Sequence, residues 1–134
     1  MFVGRTQELE RLEGLYASEK SGIFVLYGRS GIGKTALIRR FLQGKTEVYY
    51  AARRVTGKEQ LLCMCREWHT TEATDVYDAL SAVYASKNSG TKLVLVLDEF
   101  DNLFEDKESF LSGFLRFYSE HHADGSLLVL LLSS

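Results

Sequence analysis

Apolar residues follow two rhythms along this chain. Four short runs are apolar with almost no polar interruption: Ile23 to Tyr27, Val48 to Ala52, Lys92 to Leu97 and Ser126 to Leu132. Runs of this length bounded by turn residues predict buried strands. Between them the apolar positions recur at helical spacing. Leu9, Leu12, Leu15 and Tyr16 share one side of a first helix, with Thr6 as its N-cap and Glu8 in its first turn. Leu37, Ile38, Phe41 and Leu42 mark a second, with Gly44 placed to end it. A helix over 58–69 groups Leu61, Cys65 and Trp68; another, capped by Thr74 or Asp75, carries Val76, Ala79, Leu80, Val83 and Tyr84 and ends at Asn88-Ser89-Gly90. The last carries Phe110, Leu111, Phe114, Leu115 and Tyr118 as a core stripe.

Strands without polar alternation, separated by amphipathic helices, predict a parallel sheet covered on both faces. The expected fold is α/β, a three-layer α/β/α sandwich.

Composition narrows the picture only a little. With 134 residues the chain is one domain, and 46% hydrophobic content suits a globular core. A net charge of −2 and a pI near 5.9 give no electrostatic reason to expect nucleic acid or an acidic membrane. No apolar run approaches a membrane span, and no signal-peptide pattern opens the chain. Cys63 and Cys65 are the only cysteines, separated by one residue, so no disulfide framework is indicated and a cytoplasmic location is expected.

The chemistry concentrates after the first strand. Gly28-Arg29-Ser30-Gly31-Ile32-Gly33-Lys34-Thr35 is a Gly, four residues, then Gly-Lys-Thr, between a predicted strand and a predicted helix. In that context the backbone N–H groups, with those of Ala36 following, wrap a phosphate, and small residues keep side-chain bulk out of the way. The helix start adds unpaired N–H groups and the positive end of its dipole. Lys34 is expected to reach the β- and γ-phosphates and the Thr35 hydroxyl to ligate Mg²⁺. The third apolar run ends in Asp98-Glu99. Asp98 is expected to hold the Mg²⁺ shell and Glu99 to orient and deprotonate an attacking water. A glutamate beside the metal aspartate argues for a branch that hydrolyses ATP and against kinases.

Phe2-Val3-Gly4-Arg5 followed by Glu8-Leu9, the phosphate loop, and Leu97-Asp98-Glu99-Phe100 together resemble the archaeal-type ATPases of the AAA+/STAND group of P-loop NTPases. The resemblance implies that Val3, Gly4 and Arg5 border the adenine, with Thr6 standing where related proteins often have Glu. It implies ATP rather than GTP as ligand, and Ser133 or Ser134 as a polar sensor near the γ-phosphate. It also implies a sheet order 5-1-4-3-2, of which strands 1-4-3-2 are found and the fifth is missing, as is a helical lid. The chain stops at the end of an apolar strand, so residues 1–134 are expected to be a core truncated before both. An open edge on the first strand then predicts self-association through the exposed sheet edge.

Three functions stay open at this stage. One is Mg²⁺-dependent ATP hydrolysis driving a conformational switch. Another is a nucleotide-binding regulatory or interaction module with little turnover. The third is the motor part of a DNA-associated initiator, touching nucleic acid only through domains not present. Smaller features carry bland readings: core packing for Cys65, four residues from His69; helix-dipole complementation in solvent for His121-His122; a solvated strand exit, or an arginine finger, for Arg53-Arg54. Asp101 and Asn102 either cap the next helix or help position water.

Overall fold

The computed structural model describes residues 6–27, 32–69, 73–87, 90–104 and 107–133. Val3, Gly4, Arg5, Gly28, Arg29, Ser30, Gly31, Asn88, Ser89 and Ser134 lie outside them. Ten elements follow in order: α1 (Thr6–Ala17), β1 (Gly22–Tyr27), α2 (Ile32–Leu42), β2 (Thr46–Ala51), α3 (Gly57–Trp68), α4 (Val76–Ala85), β3 (Leu93–Asp98), a 3₁₀ turn (Phe100–Phe104), α5 (Lys107–His121) and β4 (Leu127–Ser133). The four strands form one parallel sheet in the order β1-β4-β3-β2. This is the expected α/β sandwich with strand order 1-4-3-2.

The central strands explain why their sequences lack alternation. β3 and β4 are covered on both faces, and every residue from Leu93 to Leu97 is buried. On one face α1 and α2 bring Leu12, Leu37, Ile38 and Phe41 against Leu26, Val94, Val96, Leu128 and Leu130. On the other, α3, α4 and α5 bring Met64, Leu80, Phe114 and Phe117 against Tyr50, Leu95, Leu97, Leu127 and Val129. Each such side chain, fully buried, contributes about 1.5–3 kcal/mol over leaving it exposed.

The outer strands depart from that pattern. In β1 Phe24 and Leu26 face the helices while Ile23, Val25 and Tyr27 are exposed. In β2 Tyr50 is fully buried while Glu47 and Tyr49 face outward. Coverage on both faces therefore holds for β3 and β4 alone.

Four expectations need correction. The stripe of α5 is Phe110, Phe114 and Phe117, not the wider set; Leu111 and Leu115 are 40% and 51% exposed. The inward face of the helix runs i, i+4, i+7. Asp101 and Asn102 cap nothing in α5, because they lie within the 3₁₀ turn and bond elsewhere. His121 is not a solvated dipole partner: its ring stacks on Tyr84 at 3.8 Å and its Nδ1 lies 3.5 Å from an Asp124 carboxylate oxygen. In α3 the fully inward positions are Gln60 and Met64, with Leu61, Cys63 and Trp68 only partly covered. Of the two candidate caps for α4 it is Asp75 whose side chain accepts from Asp78 N.

Polar stitches fix the end of the sheet opposite Asp98 and Ser133. Ser21 Oγ donates to His121 O and accepts from Leu127 N. The Lys92 ammonium, 8% exposed, donates to Leu15 O, Ser18 O and Lys20 O, closing the carbonyl end of α1. Burial holds its pKa below the usual lysine value. Gly125 turns into β4 at φ +69°.

Candidate functional site

Parallel strands bring their carboxyl ends to one rim of the sheet, where ligands of open α/β folds bind. The register lines up the candidates there. Tyr27 pairs with Ser133, Leu132 with Asp98, and Asp98 with Ala51. The end of β1, the acid of β3 and the serine of β4 therefore stand on adjacent strands, about 4.8 Å apart.

α2 begins at Ile32, so Gly33, Lys34 and Thr35 form its first turn, where free N–H groups and the helix dipole favour an anion. Lys34 is 5% exposed, and its Nζ donates to Ser133 O at 3.0 Å. The lysine is thus held at the carboxyl end of β4. Ser133 Oγ in turn donates to Asp101 Oδ2 in the 3₁₀ turn. This chain of bonds ties the helix after β1, the end of β4 and the turn after β3 into one unit.

Asp98 is held at both oxygens. Its Oδ1 accepts from Glu99 N at 2.8 Å, and its Oδ2 accepts from the Tyr49 hydroxyl on β2. Glu99 sits at φ +52°, a left-handed backbone that costs a non-glycine residue roughly 1–2 kcal/mol. That conformation turns the chain sharply out of β3. Neighbours hold the turn: Asn102 N donates to Glu99 O at 3.0 Å, and Asn102 Nδ2 to Ala52 O at 3.2 Å. Strain held in place by surrounding bonds is a common property of functional positions.

Beside Asp98 a cleft of about 280 Å³ opens between α2 and β2, walled by Lys34, Arg39, Glu47, Tyr49, Asp98 and Leu132. Burial, then the hydrogen bond and negative charge of Asp98, push the Tyr49 phenol well above its usual pKa and keep it a donor. Burial also raises Glu47. One strand position on, burial pushes Tyr50 up to about 12.

The donors fit a small hard cation. Among the described residues no group of three or more His, Cys, Asp or Glu could cage a metal, and Cys65 and His69 form no such group. Mg²⁺ needs no such cage, since it is held by one or two carboxylates, water and substrate phosphates. Asp98, on the rim beside the helix start, is a carboxylate of that kind.

The structure therefore brings Lys34, Asp98, Glu99 and Ser133 to one rim, with Thr35 and Ala36 in the adjoining helix turn. It adds Tyr49, which no motif placed there, and brings Asp101 and Asn102 beside the acids rather than to a helix cap. The only sequence signal for Tyr49 was its alternation with Tyr50, which sends one ring inward and the other toward Asp98.

The geometry is that of a P-loop α/β domain: a helix start after β1, and an acidic pair ending β3. The profile described as the AAA ATPase domain matches residues 1–130, and the chain belongs to that family. Its ligand class is accordingly ATP. An uncharacterized protein of Methanocaldococcus jannaschii is 31% identical over 134 residues, all of this chain and 30% of its own length. An uncharacterized ATP-binding protein of the same archaeon is 49% identical over 45 residues, 34% of this chain. The chain thus spans about a third of the first relative's length. The crystal structure of Cdc6p from Pyrobaculum aerophilum superposes with a TM-score of 0.64 at 19% identity, covering 100% of this chain and 40% of that one. A Drosophila ORC structure bound to DNA gives 0.66 at 18%, covering 96% and 38%. These two likenesses show the fold. Among the described residues no helix is long and apolar enough to cross a membrane.

Proposed function

We propose that this chain binds ATP with Mg²⁺ and hydrolyses it, using turnover to switch conformation. One observation carries the reading: Asp98 ends a central strand, with Glu99 next in the chain, and the neighbouring strand β4 holds the Lys34 ammonium through Ser133 O. Lys34 stabilises negative charge on the transferring phosphoryl group. Glu99 orients a water and takes its proton as the water oxygen bonds to the γ-phosphorus and the bond to ADP breaks. Thr35 and Asp98 hold Mg²⁺, which neutralises phosphate charge when bound. Gly28, Arg29, Ser30, Gly31, Ile32, Gly33 and Ala36 supply backbone donors, and Val3, Gly4 and Arg5 border the base.

The bonds linking Lys34, Ser133 and Asp101 suggest how hydrolysis is transmitted. A γ-phosphate attracting Lys34 competes with Ser133 O, and loosening Ser133 frees Asp101 in the turn that follows Glu99. We also propose that copies of this chain associate through β1. Its outer edge is unpaired among the described residues, and Ile23, Val25 and Tyr27 are exposed beside it.

Two variants test the enzymatic reading. Lys34→Ala is expected to abolish nucleotide binding, and Glu99→Gln to keep binding and block phosphate release. Equal, negligible release from wild type and Glu99→Gln would instead favour a binding module. Stimulation of turnover by DNA would favour the initiator-type reading.

A further inference from the structure

Tyr49 belongs to none of the motifs, yet the fold aims it at the acid of β3. The register sets Tyr49 opposite Val96 and Ala51 opposite Asp98, so Tyr49 and Asp98 are diagonal neighbours on one face of the sheet. Diagonal neighbours lie within reach of a long aromatic side chain. The phenol spans that diagonal and its hydroxyl donates to Asp98 Oδ2. The strand beneath it is anchored as well, since Trp68 Nε1 donates to Tyr49 O at 3.2 Å. With Glu99 N on Oδ1, the carboxylate is pinned at both oxygens and cannot rotate freely about its Cβ–Cγ bond.

We propose that Tyr49 is the positioning residue for the divalent metal: its hydroxyl fixes the plane of the Asp98 carboxylate, so that Mg²⁺ meets a preset acceptor. The inference rests on the ATP and Mg²⁺ reading above. A carboxylate offers about four lone-pair sites, and the two bonds seen here occupy two, which leaves acceptor capacity for a metal or its water. Tyr49 and Asp98 line the same cleft, so the pinned carboxylate borders open space. Hydrogen bonds that orient a metal-binding carboxylate typically account for about 10–100-fold in metal affinity.

The test uses the intact chain and the fluorescent analogue N-methylanthraniloyl-ATP. Affinity is measured in EDTA and across a Mg²⁺ series for wild type, Tyr49→Phe and Asp98→Asn. Wild type is expected to gain affinity with Mg²⁺, and Asp98→Asn to lose most of that gain. Tyr49→Phe is expected to match wild type in EDTA while its Mg²⁺ midpoint rises about tenfold or more. An unchanged midpoint in Tyr49→Phe overturns the inference. So does an equal loss of affinity with and without Mg²⁺, or loss of the fold by circular dichroism, since either makes the hydroxyl a general structural element. Absence of any Mg²⁺ effect in wild type is a different result, which overturns the metal reading itself.

Discussion

Gln60 offers a sharp test of how the site's supporting strand is held. This side chain is 5% exposed on α3, and three bonds converge on it. Its Oε1 accepts from the Tyr50 hydroxyl and from Arg53 N at 3.0 Å, and its Nε2 donates to Arg53 O at 2.7 Å. It thereby fixes the exit of β2, which ends two residues after Tyr49. Gln60→Leu keeps the volume and removes all three partners. Tyr50 is fully buried, and its hydroxyl would keep only the distant Gln60 O at 3.4 Å, so losing the side-chain acceptor costs about 1–3 kcal/mol. The part-buried Arg53 groups recover water in part and add about 1 kcal/mol. The expected destabilisation is therefore about 2–4 kcal/mol. Adding Tyr50→Phe to Gln60→Leu removes the poorly paired hydroxyl and should return about 1–2 kcal/mol, a coupling that a double-mutant cycle isolates. Urea unfolding followed by Trp68 emission measures it, because Trp68 is the only tryptophan and its ring lies 5.9 Å from that of Tyr50. A loss below about 0.5 kcal/mol for Gln60→Leu, or strictly additive effects, would refute the reasoning.

Two further outcomes are expected. At Gly125 an added Cβ would lie 2.1 Å from Glu19 O at a backbone φ of +69°, so Gly125→Ala should lower stability by about 3 kcal/mol or more, read by thermal melting, while Gly44→Ala, with open space around it, should cost markedly less. The isolated chain should show a mass that rises with concentration in light scattering, and Val25→Lys on the exposed face of β1 should restore the monomer mass; a constant monomer mass in wild type would dispose of that association.

The layers and strand order were legible because β3 and β4 are apolar on both faces and leave no other place to lie than the middle of a parallel sheet. Lys34, Asp98 and Glu99 were legible because phosphate and metal chemistry demands particular residue types beside a strand end. Gln60 was not, since a polar residue turned inward is explained only by Tyr50 and the Arg53 backbone, which the fold brings to it. Leu115 was placed in the core stripe of α5 and Phe117 left out of it, because several apolar residues at near-helical spacing allow more than one choice of inward face. Tyr49 escaped notice for a related reason: its partner lies on a strand forty-nine residues further along.

On the proposed reading, one rim of this sheet both holds ATP and hydrolyses it. Single-turnover phosphate release, measured beside nucleotide affinity for wild type, Lys34→Ala and Glu99→Gln, tests it most directly. Wild type is expected to bind and release, Lys34→Ala to lose both, and Glu99→Gln to bind without release. Wild-type affinity retained in Lys34→Ala, or release from Glu99→Gln at the wild-type rate, would contradict it.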